Sequence, residues 1–185
     1  MRSRQRSVPR RASWRGRCCP PKSARRPKRL TEQPAGPLTG SLTGSLARGL
    51  PLSREDEALV EAAEAALRQH FHPWRHRLAA AARDGSGRIF TGLHLGATVG
   101  RLSICAEATA LGRALIEGDG TIAAIVTVRH PKPDEPHLHP AVVPPCGACR
   151  EMLADHAAEA LVILPGPNGL VRIPALSLLP LPYQR

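Results

Sequence analysis

The sequence predicts an α/β domain in which helices cover a sheet. Three observations carry this. Residues 51–185 are a normal size for one domain with one core. Their apolar residues switch between helical spacing and short continuous runs. In the second half strands and helices alternate, which implies right-handed βαβ crossovers with helices laid over the sheet.

The first helix is expected over residues 54–70. Ser53 followed by Asp56 resembles a capping box with its acid at the third helical position. Leu59, Ala62, Ala63, Ala66, Leu67 and His70 follow at helical spacing, and Pro73 lies past the end. A β-hairpin comes next, with strands over 76–83 and 88–95 around Asp84-Gly85-Ser86-Gly87. Its alanine run suits either a helix or a strand packed closely under helices. "CAEATALGRALIEG" puts Ala106, Ala110, Leu111, Ala114 and Leu115 on one face and ends at Gly118, a second helix. "IAAIVTV" (122–128) reads as a buried strand and "HPKPDEPHLHPAVVPP" as a Pro/His-rich loop. "CGACREMLADHA" is the third helix, "ALVILPG" (160–166) a further strand, "GLVRIPAL" the last strand and "LSLLPLPY" a terminal segment. The order is α-β-β-α-β-α-β-β.

Charge divides the chain. Residues 1–50 hold 13 of the 26 Lys/Arg and only one of the 15 acids, Glu32. The basic excess therefore belongs to a tail, and residues 51–185 are close to neutral. The tail is rich in Arg, Pro, Ser and Gly and carries few large apolar residues, so burial cannot offset the entropy of ordering it. Residues 1–50 are expected to be a disordered basic leader, or the product of a start codon read too far upstream. An organelle transit peptide and an arginine arm that binds phosphate without sequence preference are the alternatives. No apolar run is long enough for a membrane span or a secretory signal, so a cytoplasmic protein is expected.

The chain has five cysteines. Cys18 and Cys19 fall in the tail. Cys105, Cys146 and Cys149 fall in the domain, and an odd number without a secretory signal argues against a disulfide framework. Cys146-x-x-Cys149 alone has three readings. A redox dithiol should follow the first strand of a βαβ unit, whereas this pair opens a late helix and leaves Cys105 unexplained. A structural zinc site needs a fourth ligand, which His70, His72, His76, His94, His130, His137, His139 or His156 would supply. A catalytic zinc site needs three protein ligands, an open position for water and a nearby acid/base. Cys105-Ala106-Glu107 followed by Pro145-Cys146-x-x-Cys149 has the zinc-deaminase pattern (H/C)-x-E…P-C-x-x-C. Both segments open helices, whose free N–H groups and partial positive charge stabilise a cluster of thiolates. The four residues together favour the catalytic reading.

At these residues the chain resembles the cytidine deaminase family. The matching blocks are "GRIFTG" (87–92), "CAEATALGRAL" (105–115), "PCGACREML" (145–153) and "LLPLPY" (178–183). The resemblance implies a three-layer α-β-α domain over residues 51–185, with a mixed five-stranded sheet between helices. It implies a homotetramer, or a dimer, and a role in pyrimidine salvage. It implies Zn²⁺ on Cys105, Cys146 and Cys149, with Glu107 moving protons from water to the ring nitrogen and the leaving amine of a cytosine nucleoside. The backbone of Ala106 is expected to contact the base.

The departures from the family pattern bear on substrate. Where the family carries N-x-E for the ribose, this chain reads His94-Leu95-Gly96. The arginine that follows the catalytic Glu is replaced by Ala108, which leaves Arg101, Arg113 or Arg150 to supply positive charge. The aromatic that stacks on the base is replaced by His76, with Trp74 nearby. Tyr183 is expected either to reach a neighbouring site or to pack internally. A family branch that acts on the antibiotic blasticidin S also lacks N-x-E and shares "GRIFTG" and "PCG-x-CR". Deamination of such an aminonucleoside is the alternative function. A non-catalytic zinc module whose basic tail binds RNA is the alternative outside enzymes, and the low aromatic content counts against it.

Overall fold

The computed structural model describes residues 49–132, 134–135 and 139–183. The leader expected over residues 1–50 therefore lies, up to residue 48, outside the described residues, as do Cys18, Cys19 and His137. Among the described residues no helix is long and apolar enough to cross a membrane.

Helix α1 (Arg54–His70) begins at the expected capping box. The Ser53 N–H donates to the Asp56 carboxylate at 3.0 Å, and the Asp56 N–H donates back to the Ser53 hydroxyl at 3.3 Å. The hairpin follows as β1 (Leu78–Arg83) and β2 (Ile89–Leu93). Its turn is organised by the buried Asp84 carboxylate, which accepts from the Ser86 hydroxyl at 2.7 Å and the Arg88 N–H at 2.9 Å. Gly87 takes a φ of 90°, a conformation that costs a side-chain-bearing residue but not glycine. Then come α2 (Ala106–Glu117), β3 (Ala124–Arg129), β4 (Ala141–Val142), α3 (Gly147–His156), β5 (Leu161–Gly166) and β6 (Gly169–Pro174). A 3₁₀ turn over Ala175–Leu178 leads to the terminal segment.

Among the described residues the sheet order is β2-β1-β3-β5-β6, with β4 pairing on the β5 side of β3, beyond the end of β5. Only β3 and β5 run parallel; β1 is antiparallel to both β2 and β3. The expected α/β architecture and element order are observed, with six strands instead of five among the described residues. The addition is β4, inside the stretch expected to be loop. It forms because the Val143 N–H reaches the Thr127 carbonyl at 2.9 Å and Val142 packs with the α1 layer. The hairpin strands are also shorter than expected. Residue 76 is held in a turn by paired backbone bonds to His72, and Leu95 leaves β2 to pair with Ile104.

Two apolar layers sandwich the sheet. Leu59, Ala63 and Leu67 of α1 pack on Ala79, Ala81, Val126, Val128 and Ile163. Helices α2 and α3 pack on the other face, against Ala80, Ala82, Phe90, Ile125 and Val162. The alternation along β1 and β3 is the period-2 pattern of strands covered on both sides. The alanines of β1 are fully buried, and their small side chains let a helix come close on each face. A central strand with so little bulk resolves the helix-or-strand ambiguity in favour of the strand. At the sheet margin, Leu50 exchanges two backbone hydrogen bonds with Arg172 of β6.

Candidate active site

The two helices on one face start side by side, and their first turns hold the candidate site residues. Cys105 is the N-cap of α2 and Cys146 the N-cap of α3, both with extended backbone. An N-cap side chain lies over the free N–H groups of the turn it opens. Cys149 sits one turn into α3 and is buried, Cys105 is half-buried and Cys146 is exposed. The Cys105 and Cys146 sulfurs are 3.7 Å apart, and those of Cys146 and Cys149 are 3.4 Å apart. All three sulfurs lie within 4.8 Å of one another.

That spacing fits a metal. Tetrahedral zinc with Zn–S bonds of about 2.3 Å holds its sulfurs about 3.8 Å apart. The donor set agrees, since three thiolates suit Zn²⁺ and leave one tetrahedral position without a protein ligand. Among the described residues this is the one group of three or more ligand-type side chains so arranged.

The electrostatics call for a cation. Burial pushes all three thiols up, and the charge of the Glu107 carboxylate adds to this at each. Cys149 ends far above the ordinary thiol value and Cys105 above it. Cys146 ends below it, because the Cys149 N–H and the two neighbouring thiols hydrogen-bond its sulfur.

Glu107 is in the first turn of α2 and only 5% exposed. Ala106 beside it is fully buried. Two features missed by sequence reasoning hold this turn in place. A Cβ on Gly92 would stand 2.2 Å from the Ala110 nitrogen and 2.8 Å from the Ala106 carbonyl oxygen, so β2 lies directly against α2 only because residue 92 is glycine. The Thr109 hydroxyl shares its one proton between the carbonyls of Leu93 at 3.0 Å and Ala106 at 2.8 Å. A glycine inside a strand pattern was the available signal for the first. The second has no signature in a single sequence.

His76 and His94 come together: the His76 ring Nδ1 is 2.9 Å from the His94 carbonyl, and the His94 Nδ1 is 3.2 Å from the Arg75 carbonyl. Both are half-buried. His94 lies two residues beyond Gly92, at the sheet end from which α2 starts. Trp74 stands apart, 85% exposed. Arg113 pairs with Glu117 at 2.9 Å further along α2, and Arg101 is exposed in the 3₁₀ turn Gly100–Leu102. Arg150 hydrogen-bonds the carbonyls of Pro145 at 3.0 Å and Leu178 at 3.4 Å, tying the residue before Cys146 to the C-terminal turn. Tyr183 is 78% exposed, so in the single chain it does not pack internally.

No protein-family model matches the chain. It is similar to the blasticidin-S deaminase of Bacillus cereus, at 37% identity over 134 residues, which are 72% of this chain and 96% of that protein. It is 34% identical over 98 residues to a probable cytidine deaminase of Dictyostelium discoideum, covering 52% of this chain and 62% of that one. Among solved structures, the cytidine deaminase from Burkholderia pseudomallei superposes with a TM-score of 0.56 at 29% identity, over 71% of this chain and all (100%) of that one. The cytidine deaminase from Mycobacterium leprae gives 0.53 at 25% identity, over 68% and 97%. Shared sequence, shared fold and a three-sulfur cluster beside a buried glutamate converge, and the chain belongs to the cytidine deaminase family of hydrolytic deaminases.

Proposed function

We propose that the chain catalyses zinc-dependent hydrolytic deamination of a cytosine nucleoside or an analogue, with Cys105, Cys146 and Cys149 holding the metal and Glu107 moving the proton. The observation that carries this is the meeting of three sulfurs, at zinc spacing, with one buried carboxylate. Zinc bound there supplies the Lewis acidity that brings the pKa of water from about 15.7 to about 7. Glu107 accepts one proton of the attacking water and delivers it to the ring nitrogen, then takes the second proton from the new hydroxyl and delivers it to the exocyclic amine. A C–O bond forms, the C–N bond breaks, and ammonia leaves. A positioned acid/base of this kind contributes about 10²–10⁴ in rate. The first-turn N–H groups of α2 and α3 offset the negative charge of three thiolates, a task that falls more heavily on them because Ala108 is not an arginine.

A substrate with an altered sugar, of the blasticidin S kind, is the second reading. The Bacillus cereus relative supports it, and so does Gly96. A Cβ on Gly96 would stand 3.0 Å from the carbonyl oxygens of both Trp74 and Arg75. A longer side chain at that position requires the 72–76 turn to move. His94 and His76 would then face the sugar end of the substrate, and Ala106 the base. The reading includes assembly as a homotetramer or dimer, supported by the exposed apolar side chains of Val99, Leu102 and Ile104 just ahead of Cys105. It includes a cytoplasmic location, supported by three free thiols in one site.

The test is release of ammonia from cytidine, deoxycytidine and blasticidin S by the zinc-loaded protein, with Glu107→Ala as control. Activity on at least one substrate, lost in the control while zinc is retained, is the expected result. Bound zinc without turnover above that control on any of the three would end the reading for these compounds. The order of preference between cytidine and blasticidin S decides between the two substrates.

A further inference from the structure

Helix α2 has to place Glu107 relative to sulfurs that belong largely to α3. Its own contacts to the sheet fix that placement. Among the described residues strand β2 is an edge strand and pairs only with β1. The His94 N–H points inward, to the Leu78 carbonyl at 2.9 Å. By the alternation of an antiparallel ladder the Leu93 carbonyl points the other way, where no strand waits for it among the described residues. The Thr109 hydroxyl takes that place, donating to the Leu93 carbonyl at 3.0 Å.

The same hydroxyl lies 2.8 Å from the Ala106 carbonyl, three residues back in the helix. That carbonyl belongs to the peptide unit whose nitrogen is the backbone N of Glu107. One hydroxyl thus touches both the edge of the sheet and the peptide that carries the glutamate. A threonine bonded back into its own helix adjusts the local turn. Its β-branch leaves few rotamers, so the hydroxyl stays where it is aimed. Gly92 supplies the complementary condition: with no Cβ, β2 lies directly against Ala106, Thr109 and Ala110. Gly92 permits the close contact, and the Thr109 hydroxyl bonds across it.

We propose that Thr109 is a positioning residue for Glu107, using its hydroxyl to tie the first turn of α2 to the edge of β2 and so to set where the carboxylate stands. The inference rests on the reading of Glu107 as the proton carrier. Thr109 is neither a metal ligand nor a proton donor in the reaction; it acts through the peptide unit between residues 106 and 107.

The test uses Thr109→Val, which keeps the shape and loses the hydroxyl, Thr109→Ala, and Thr109→Ser, which keeps the hydroxyl and loses the methyl. All are made in the zinc-loaded full chain. A displaced catalytic group of this kind costs about ten- to hundredfold in kcat, so Thr109→Val and Thr109→Ala are expected to lose that much with KM within about twofold of wild type. Thr109→Ser is expected to stay within about threefold of wild-type kcat, and all three to hold one zinc. Crystal structures should show the Glu107 carboxylate shifted relative to the three sulfurs in Thr109→Val but not in Thr109→Ser. Wild-type kcat in Thr109→Val, or a serine variant as impaired as the valine one, overturns the proposal. So does folding of the serine variant alone, which would make the hydroxyl merely structural. Should wild type deaminate none of the substrates, the reading of Glu107 fails on that result. The crystallographic position of the carboxylate then still decides the role of Thr109, and an unmoved carboxylate overturns it.

Discussion

Each of the three cysteines occupies a different kind of position, and the differences predict how the site fails. Cys146 is exposed, and hydrogen bonding holds its thiol below the ordinary value. Cys149 is buried, and burial holds its thiol far above that value. A cation has to offset the cost of ionising Cys149, whereas Cys146 is prepared before a metal arrives. Cys149→Ser removes the buried sulfur and leaves the accessible one. It is expected to leave the protein folded but with far less than one zinc per chain after dialysis and no ammonia release, as measured by elemental analysis and turnover. Full retention of zinc by that variant would assign the metal to other ligands. These residues were legible in the sequence because ligand chemistry demands fixed residue types at fixed spacing: Cys105, Glu107, Cys146 and Cys149 announce themselves together. Thr109 and Gly92 were not legible in the same way. Their roles depend on how closely β2 approaches α2, and no local pattern encodes that distance.

At the scale of elements, a buried ion cluster joins the start of α1 to two strands. Asp56 is fully buried and accepts from Arg83 of β1 at 2.9 Å and Arg172 of β6 at 3.1 Å. Burial pushes its carboxyl up, but hydrogen bonds from Ser53 and Arg83 and the charge of Arg172 outweigh this and leave it below the ordinary value. The sign of the linkage follows. A carboxyl depressed in the folded state stabilises the protein fully above its unfolded value of about 3.9, and that stabilisation is lost as pH falls through the lower folded value. Asp56→Asn is expected to lower stability at pH 7 by about 3 kcal/mol or more, because two arginines keep a buried neighbour without charge. It is also expected to reduce the fall in stability between about pH 4 and pH 2, because one group fewer takes up a proton on unfolding. Urea melts at a series of pH values check both, and an unchanged acid slope would remove Asp56 from the account. The capping box was visible in Ser53 and Asp56. The second task of the same carboxylate was not, because it links residues 116 positions apart. Strand β4 escaped notice for a related reason. Two residues carry no periodicity, and only the Thr127 carbonyl waiting beside them makes the strand.

At the scale of the whole molecule, two regions differ sharply in charge. Half of the 26 Lys/Arg precede residue 49, with one acid, so the remainder carries 13 basic residues against 14 acids. Every described element lies after that segment. Leu50 is already paired with Arg172, and α1, the hairpin and the two helices that carry the three cysteines all follow it. The candidate metal ligands and Glu107 lie within residues 105–149, and the supports identified for them lie between residues 92 and 178. A chain starting at residue 49 is therefore expected to fold, to bind zinc, to deaminate with unchanged kcat and to keep the assembly state of the full chain. What it should lose is binding to polyanions. The full chain is expected to be retained on a heparin column and released by salt, in the manner of arginines that displace counterions from phosphate or sulfate. The shortened chain, close to neutral, should pass through. Light scattering, ammonia release and the heparin elution profile, run on both proteins, separate these outcomes. Equal retention of both would locate the polyanion-binding charge in the folded body. Loss of turnover with the fold and zinc intact would make the basic segment part of the catalytic machinery.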